Sequence, residues 1–136
     1  MQKISNDELA YMRAFYEITK VEPIYCISSQ DGVAFLVPTG SIGKAVGKSG
    51  ANIALLRKRF DKGVYVFESI NSEEEFIKKS INVQAPVIME DKKNNKKVIL
   101  VKLSTPDRYA VRRGAVMAFS KRLFQRLFGK ELKVIV

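Results

Sequence analysis

Behind the acidic pair Asp7-Glu8, apolar side chains recur at Leu9, Met12, Phe15, Tyr16 and Ile18. That near-helical spacing predicts a helix reaching about Lys20, with Ser5 or Asn6 as the capping side chain and the two acids at the positive end of the dipole. Pro23 resets the chain. Two short apolar runs, residues 24–27 and 33–37, flank Gln30-Asp31-Gly32 and predict a strand, a turn and a strand. Pro38 and Gly40 close that hairpin. Residues 41–46 read as one or two helical turns, broken at Gly47-Lys48-Ser49-Gly50. A helix follows with Ile53, Leu56 and Phe60 on one face and Arg57, Lys58 and Arg59 around it. Gly63 is expected to stop it, and residues 64–67 make a third strand.

The same order then starts again. Glu73-Glu74-Glu75 opens a helix to about Ile81, and Pro86 precedes a strand at residues 87–89. A charged tip, with Lys92, Lys93, Lys96 and Lys97 around Asn94-Asn95, leads into a strand at residues 98–101. Pro106 opens a short helix, Arg112-Arg113-Gly114-Ala115 interrupts, and a long helix runs to Phe128. Gly129 stops that helix before a last strand at residues 132–136. Pro23 and Pro86 lie 63 apart, Ala45-Val46 and Ala110-Val111 lie 65 apart, and Val64 and Leu132 lie 68 apart. Elements recurring in one order at near-constant offset mean an internal duplication. The expected fold is α+β: two α-β-β-α-α-β domains, residues 1–70 and 71–136, each a three-stranded sheet covered by helices on one face. Each copy is small enough to bury only a thin core. Phe119, Leu123, Phe124, Leu127 and Phe128 are expected in packing before base stacking; Tyr25, Tyr65 and Tyr109 could stack on bases, but sheet aromatics are usually core in such an architecture.

Composition narrows the function. With 46% hydrophobic and 28% charged residues the chain is globular, not disordered. Its 24 Lys+Arg against 14 Asp+Glu leave a formal charge of +10. Residues 1–68 hold 9 basic and 7 acidic side chains and residues 69–136 hold 15 and 7, so the excess belongs mainly to the second half. Such a balance fits polyanions, nucleic acid before an acidic membrane surface. The absence of histidine removes Ser-His-Asp and Cys-His nucleophiles and every His-containing metal site. The single cysteine, Cys26, excludes an intrachain disulfide and a cysteine zinc cluster. No catalytic residue, metal site or cofactor is expected. No apolar run approaches the ~20 residues that span a bilayer, and the N-terminus lacks a signal-peptide core, so the expectation is a cytoplasmic monomer without membrane contact.

The Gly47-Lys48-Ser49-Gly50 break is the candidate site. Glycines three apart before a helix let backbone approach a ligand, the N–H groups of the helix start favour an anion, and Lys48 adds charge. A nucleotide-binding P-loop would also end in Gly-Lys-Ser, but it needs a glycine where Ile42 stands and a strand directly before it. A tight turn with a solvated Lys48 would suffice for the tetrapeptide alone. The remaining reading is a clamp for single-stranded nucleic acid, and the duplicated, basic context favours it.

The stretch from Gly43 to Ile53, with its small and apolar residues, the GxxG and an apolar residue three beyond it, resembles a KH signature. The element order resembles the type II KH fold. Two such domains in tandem resemble the RNA-binding part of the NusA family of transcription termination and antitermination factors, in its shorter archaeal form. The resemblance implies a non-enzymatic protein with single-stranded RNA beside the first loop. Gly47 and Gly50 would admit phosphates, N–H groups over residues 49–51 and the Lys48 ammonium would hold them, and Ile42, Val46 and Ile53 would floor the bases. The candidate RNA-binding residues are therefore Lys44, Gly47, Lys48, Ser49, Gly50, Ala51 and Asn52, with Arg57 at the rim. In the second copy the loop reads Arg112-Arg113-Gly114-Ala115, or Val111 to Gly114 one residue back, and neither register restores the first glycine. Arg112 and Arg113 beside Gly114 would pair with phosphates in bidentate fashion, or this copy is a scaffold. RNA polymerase is a partner implied by the resemblance alone. A ribosome-associated or ribosome-assembly KH protein is the rival, with ribosomal particles as partner. A nucleotide-using enzyme and a membrane binder working through residues 115–128 are the rivals from other classes.

Overall fold

The structure, a computed structural model, describes residues 6–93 and 96–135. Ser5 as a cap, Asn94-Asn95 at the hairpin tip and Val136 in the last strand lie outside the described residues. The chain divides into two compact units, one ending at Ser69 and the other beginning at Ile70. The first contains α1 (Asn6–Thr19), β1 (Tyr25–Ser29), β2 (Gly32–Val37), α2 (Ile42–Val46), α3 (Ala51–Phe60) and β3 (Val64–Glu68). The second contains α4 (Glu73–Ile81), β4 (Val87–Lys93), β5 (Lys96–Lys102), α5 (Thr105–Ala110), α6 (Ala115–Phe128) and β6 (Glu131–Ile135). Each unit is the α+β, α-β-β-α-α-β arrangement of a type II KH domain.

Both sheets have the same topology. The middle strand, β2 or β5, pairs antiparallel with the strand before it and parallel with the last strand of its unit. A parallel neighbour cannot be reached by a tight turn and needs a crossover over the sheet. The pair α2–α3, or α5–α6, supplies it, and the glycine-bearing loop is the corner of that crossover.

In the first unit one face of the sheet is aligned by register, with Cys26 opposite Phe35 and Phe35 opposite Val66. Phe15 of α1 stacks on Phe35 at a ring-centroid distance of 4.2 Å. Ala45 of α2 and Leu56 of α3 join this cluster fully buried. Burial of a side chain such as Phe35 or Leu56 contributes about 1.5–3 kcal/mol, and Ile53 and Phe60 of α3 pack against the same cluster. Ala34 and Leu36 on the other face of β2 are buried as well, which is why its sequence reads as an unbroken apolar run.

In the second unit Ser72 caps α4, its hydroxyl accepting the Glu75 N–H, with Glu73, Glu74 and Glu75 in the first turn. The ring of Phe76 lies 6.3 Å from Phe124 and 6.0 Å from Phe128. Phe119, Leu123 and Phe124 are buried, as the helical spacing predicted, and Leu127 and Phe128 are half-buried.

Two local expectations change. Helix α3 ends before Gly63: Asp61 takes the left-handed position, φ 53°, and its N–H donates to the Arg57 carbonyl. Asp tolerates that conformation better than most side chains, and Gly63 serves the sheet, its carbonyl accepting the Val33 N–H. The β4–β5 ladder also runs further than the apolar residues do, pairing Lys92 with Lys97 and Lys93 with Lys96. Ladder hydrogen bonds are made by the backbone and so continue past the apolar residues.

Candidate nucleic-acid interface

The first loop is held at both ends. Buried Ala45 anchors α2, whose last turn closes with the Gly47 N–H donating to the Gly43 carbonyl at 3.0 Å. Gly47 sits at φ 80°, ψ 168°, a region only glycine occupies readily. A single 3-10 turn over Lys48–Gly50 follows, with Ser49 at φ 55° and Gly50 at φ 73°, and α3 begins at Ala51. Asn52 reaches back from α3, its Nδ2 donating to the Lys44 carbonyl at 3.1 Å, and so closes the end of α2.

The two glycines do different work. A Cβ on Gly47 would stand 2.8 Å from Asn52 Cγ and 3.0 Å from the Asn52 backbone nitrogen, so this glycine lets the loop close on Asn52. A Cβ on Gly50 would meet nothing within 4 Å. Gly50 therefore faces open space at the start of α3, and no side chain caps that helix.

Two of the N–H donors expected to face a ligand are engaged inside the turn. The Gly50 N–H donates to the Gly47 carbonyl at 3.1 Å, and the Ala51 N–H to the Lys48 carbonyl. The Ser49 N–H and the first-turn N–H groups of α3 at Asn52 and Ile53 are the donors that such a helix start leaves to an outside acceptor. Lys44, Lys48, Ser49 and Ala51 are exposed around them. Arg57 stands apart, about 9 Å along the axis from Ala51, with its Nη2 donating to the Val64 carbonyl at 3.3 Å. Of the expected floor, Ile42 is exposed while Val46 and Ile53 are half-buried. Leu55 is also exposed on α3, a position that the helical pattern leaves outside the core face. Cys26 takes no part: burial, and then the charge of Glu8, push its thiol up to about 12.

Helix caps settle the register of the second loop. Gly114 is the N-cap of α6 as Gly50 is of α3, so Val111-Arg112-Arg113-Gly114 occupies the place of Gly47-Lys48-Ser49-Gly50. The second glycine is kept, at φ 64°, ψ −133°, again facing open space. Arg112, Arg113 and Gly114 are exposed. The backbone is tied down, with the Arg112 N–H donating to the Ile81 carbonyl at 2.9 Å. Arg113 Nη2 donates to the Arg108 carbonyl at 2.9 Å, and Asn82 Nδ2 to the Ala110 carbonyl at 3.2 Å.

Beneath this loop Asp107 is buried and accepts the Gln84 and Ala85 N–H groups, each at 2.9 Å. Those two bonds, with a weaker contribution from Ser104, hold its carboxyl below the usual range. Nothing in the spacing of the sequence pointed to Asp107 or Asn82, because their partners lie more than twenty residues away. Tyr109 lies on the short helix expected after Pro106, α5, but departs from the packing expectation: it is 88% exposed. Asp107 of this short helix and its C-cap residue Val111 are buried, which turns Tyr109 outward. Tyr25 and Tyr65 are in strands and half-buried.

No family model matches the chain. The probable transcription termination protein NusA of Methanocaldococcus jannaschii is 29% identical over 89 residues, 65% of this chain and 47% of that protein. The protein of the same name from Methanococcus vannielii is 29% identical over 89 residues, again 65% of this chain and 50% of its own length. That of Halococcus morrhuae is 26% identical over 130 residues, covering 92% of this chain and 91% of the relative. The match thus spans about half the length of the first two relatives and nearly all of the third. The crystal structure of APE1850 superposes with a TM-score of 0.79 at 29% identity, over 97% of this chain and 99% of that one. The resemblance to archaeal NusA-type factors is borne out by these relatives. Among the described residues no helix is long and apolar enough to cross a membrane.

Proposed function

We propose that this NusA-like chain is a non-enzymatic RNA-binding protein of transcription termination or antitermination, and that single-stranded RNA is held at the Gly47–Gly50 loop of its first unit. The observation that carries the reading is the open, uncapped start of α3 at Gly50. A phosphate can approach there without meeting a side chain. The Ser49, Asn52 and Ile53 N–H groups donate to it, the Lys48 ammonium adds a charge-assisted contact, and Lys44 lies at the rim. Backbone contacts of this kind position a strand without reading it, and specificity comes from hydrogen bonds to base edges above Ile42, Val46 and Ile53. The names of the relatives support the transcriptional setting, and RNA polymerase is part of the proposal as the accompanying partner.

The test is a titration with single-stranded RNA, duplex RNA and single-stranded DNA at two salt concentrations. Wild type is compared with a variant carrying Lys48→Asp and Ser49→Asp. The expected outcome is preference for single strands, and an affinity at least about tenfold lower in the variant, equivalent to ~1.4 kcal/mol, with an unchanged thermal melt. Equal binding by the variant, with sensitivity to salt alone, would assign the contact to diffuse charge in the second half and sink the proposal.

A further inference from the structure

Tyr109 is the most exposed of the large hydrophobic side chains among the described residues. Its ring is left in water although burying one is ordinarily favourable by about 1.5–3 kcal/mol. Among the described residues, no aromatic ring or cation stacks on it. The turn that carries it is nonetheless rigid. Asp107, two residues earlier, is buried and fixed by two backbone N–H groups from the α4–β4 connection. The carbonyls of Arg108 and Ala110, on either side of Tyr109, are tied by Arg113 and Asn82.

One of these bonds fixes a guanidinium on the same turn. Arg113, an exposed residue, donates through Nη2 to the carbonyl of the peptide that joins Arg108 to Tyr109. Arg108 and Arg112 are exposed in the same short segment. An exposed aromatic on a fixed support, set among arginines in a stretch with 8 basic and 2 acidic residues over 105–136, matches what single-stranded nucleic acid requires: a flat surface for a base and forked donors for its phosphate.

We propose that Tyr109 is a stacking platform for one unpaired RNA base, with Arg112 and the outer edge of the Arg113 guanidinium holding the adjoining phosphate. The second unit then engages RNA by side chains, where the first uses backbone. This rests on the reading of the chain as a binder of single-stranded RNA, and it does not depend on the first loop being the clamp. Tyr109 is solvated, so its replacement leaves the fold intact.

The full chain is titrated with a mixed-sequence single-stranded RNA and with an abasic strand of equal length. Wild type is compared with Tyr109→Phe, Tyr109→Ala and the Lys48→Asp, Ser49→Asp variant, and thermal melts are taken beside each titration. Tyr109→Phe is expected to bind within about twofold of wild type. Tyr109→Ala is expected to lose on the order of tenfold on the base-bearing strand, the size of a single base–aromatic stack, and nothing on the abasic strand. Crosslinking from a 4-thiouridine-containing strand should map to Tyr109. If Tyr109→Ala binds like wild type while the first-loop variant weakens, the platform is wrong and the first loop stands. If Tyr109→Ala weakens and the first-loop variant does not, the platform stands and the first-loop reading falls. An equal loss on both strands would show that the ring does not stack on a base, and would overturn the proposal.

Discussion

In the first unit the carbonyl of Lys44 is taken by Asn52, a neutral side chain reaching back from the helix that follows. In the second unit, aligned on the helix caps, the matching carbonyl belongs to Arg108 and is taken by Arg113, a residue of the loop itself. Both units face the same need, since the last carbonyls of a helix have no partner within it. The two solutions leave different surfaces. Where Asn52 acts, its side chain packs behind the loop at Gly47, and the start of α3 stays uncapped at Gly50. Where Arg113 acts, one nitrogen of an exposed guanidinium becomes part of the scaffold. On the proposed readings, RNA is contacted through backbone in one copy and through side chains in the other.

The largest effect that would break this comparison is expected at Gly47. Alanine there meets a forbidden backbone region, costing about 1–3 kcal/mol. It also collides with Asn52, and crowding a packed site costs about 1–3 kcal/mol more. Gly50→Ala meets only the left-handed penalty, about 1–2 kcal/mol, yet it puts a methyl group where the phosphate is proposed to sit. Urea midpoints should therefore fall much further for Gly47→Ala, whereas Gly50→Ala should weaken RNA binding on the order of tenfold with modest loss of stability. Equal destabilisation by the two would mean that the glycines are not specialised.

Next in size is Asp107, which distinguishes the second corner from the first. Asparagine keeps one acceptor but turns an NH2 group toward the other buried N–H, leaving a donor unmet. The carboxyl is held below its ordinary range in the folded chain, so its contribution is full above the unfolded value of about 3.9. It is lost as pH falls through the lower, folded value. Urea unfolding should show Asp107→Asn less stable than wild type at pH 7, and the gap should narrow below about pH 4. A gap that stays constant with pH would remove the carboxylate from the account of this corner.

Much of this architecture was legible because it depends on residue type at short range. Apolar spacing placed α1, α3 and α6; Gly129 marked the end of α6, where it takes φ 68°; and the repeated order exposed the duplication. What escaped depends on partners distant in sequence. Asp107 is matched to backbone groups of residues 84 and 85, and no local pattern announces that. The two candidate registers of the second loop could be separated only by seeing that α6 begins directly after Gly114. Tyr109 looked like a packing residue because aromatics usually are, and only the burial of its neighbours Asp107 and Val111 turns it outward. In the first loop the residues around Gly50 were legible, but the engagement of the Gly50 and Ala51 N–H groups within the turn was not.

The smallest effect would sharpen the comparison most. Asn52→Ala removes one hydrogen bond to an exposed carbonyl, a loss of about 0.5–1.5 kcal/mol. It also removes the Cγ and Nδ2 atoms that a Cβ at Gly47 would strike at 2.8 and 2.9 Å, while the backbone nitrogen at 3.0 Å remains. The pair Gly47→Ala and Asn52→Ala should therefore be non-additive: the double variant is expected to be less destabilised than the sum of the singles, by about 0.5 kcal/mol or more. If the energies simply add, the strain at Gly47 is wholly a matter of its dihedral angles and Asn52 is only a cap. If they couple as expected, Gly47 and Asn52 form one device, in which a glycine makes room for the side chain that holds the loop from behind. The second unit has Val111 in place of that glycine, so it has no room for such a device, and an arginine of the loop takes over the cap.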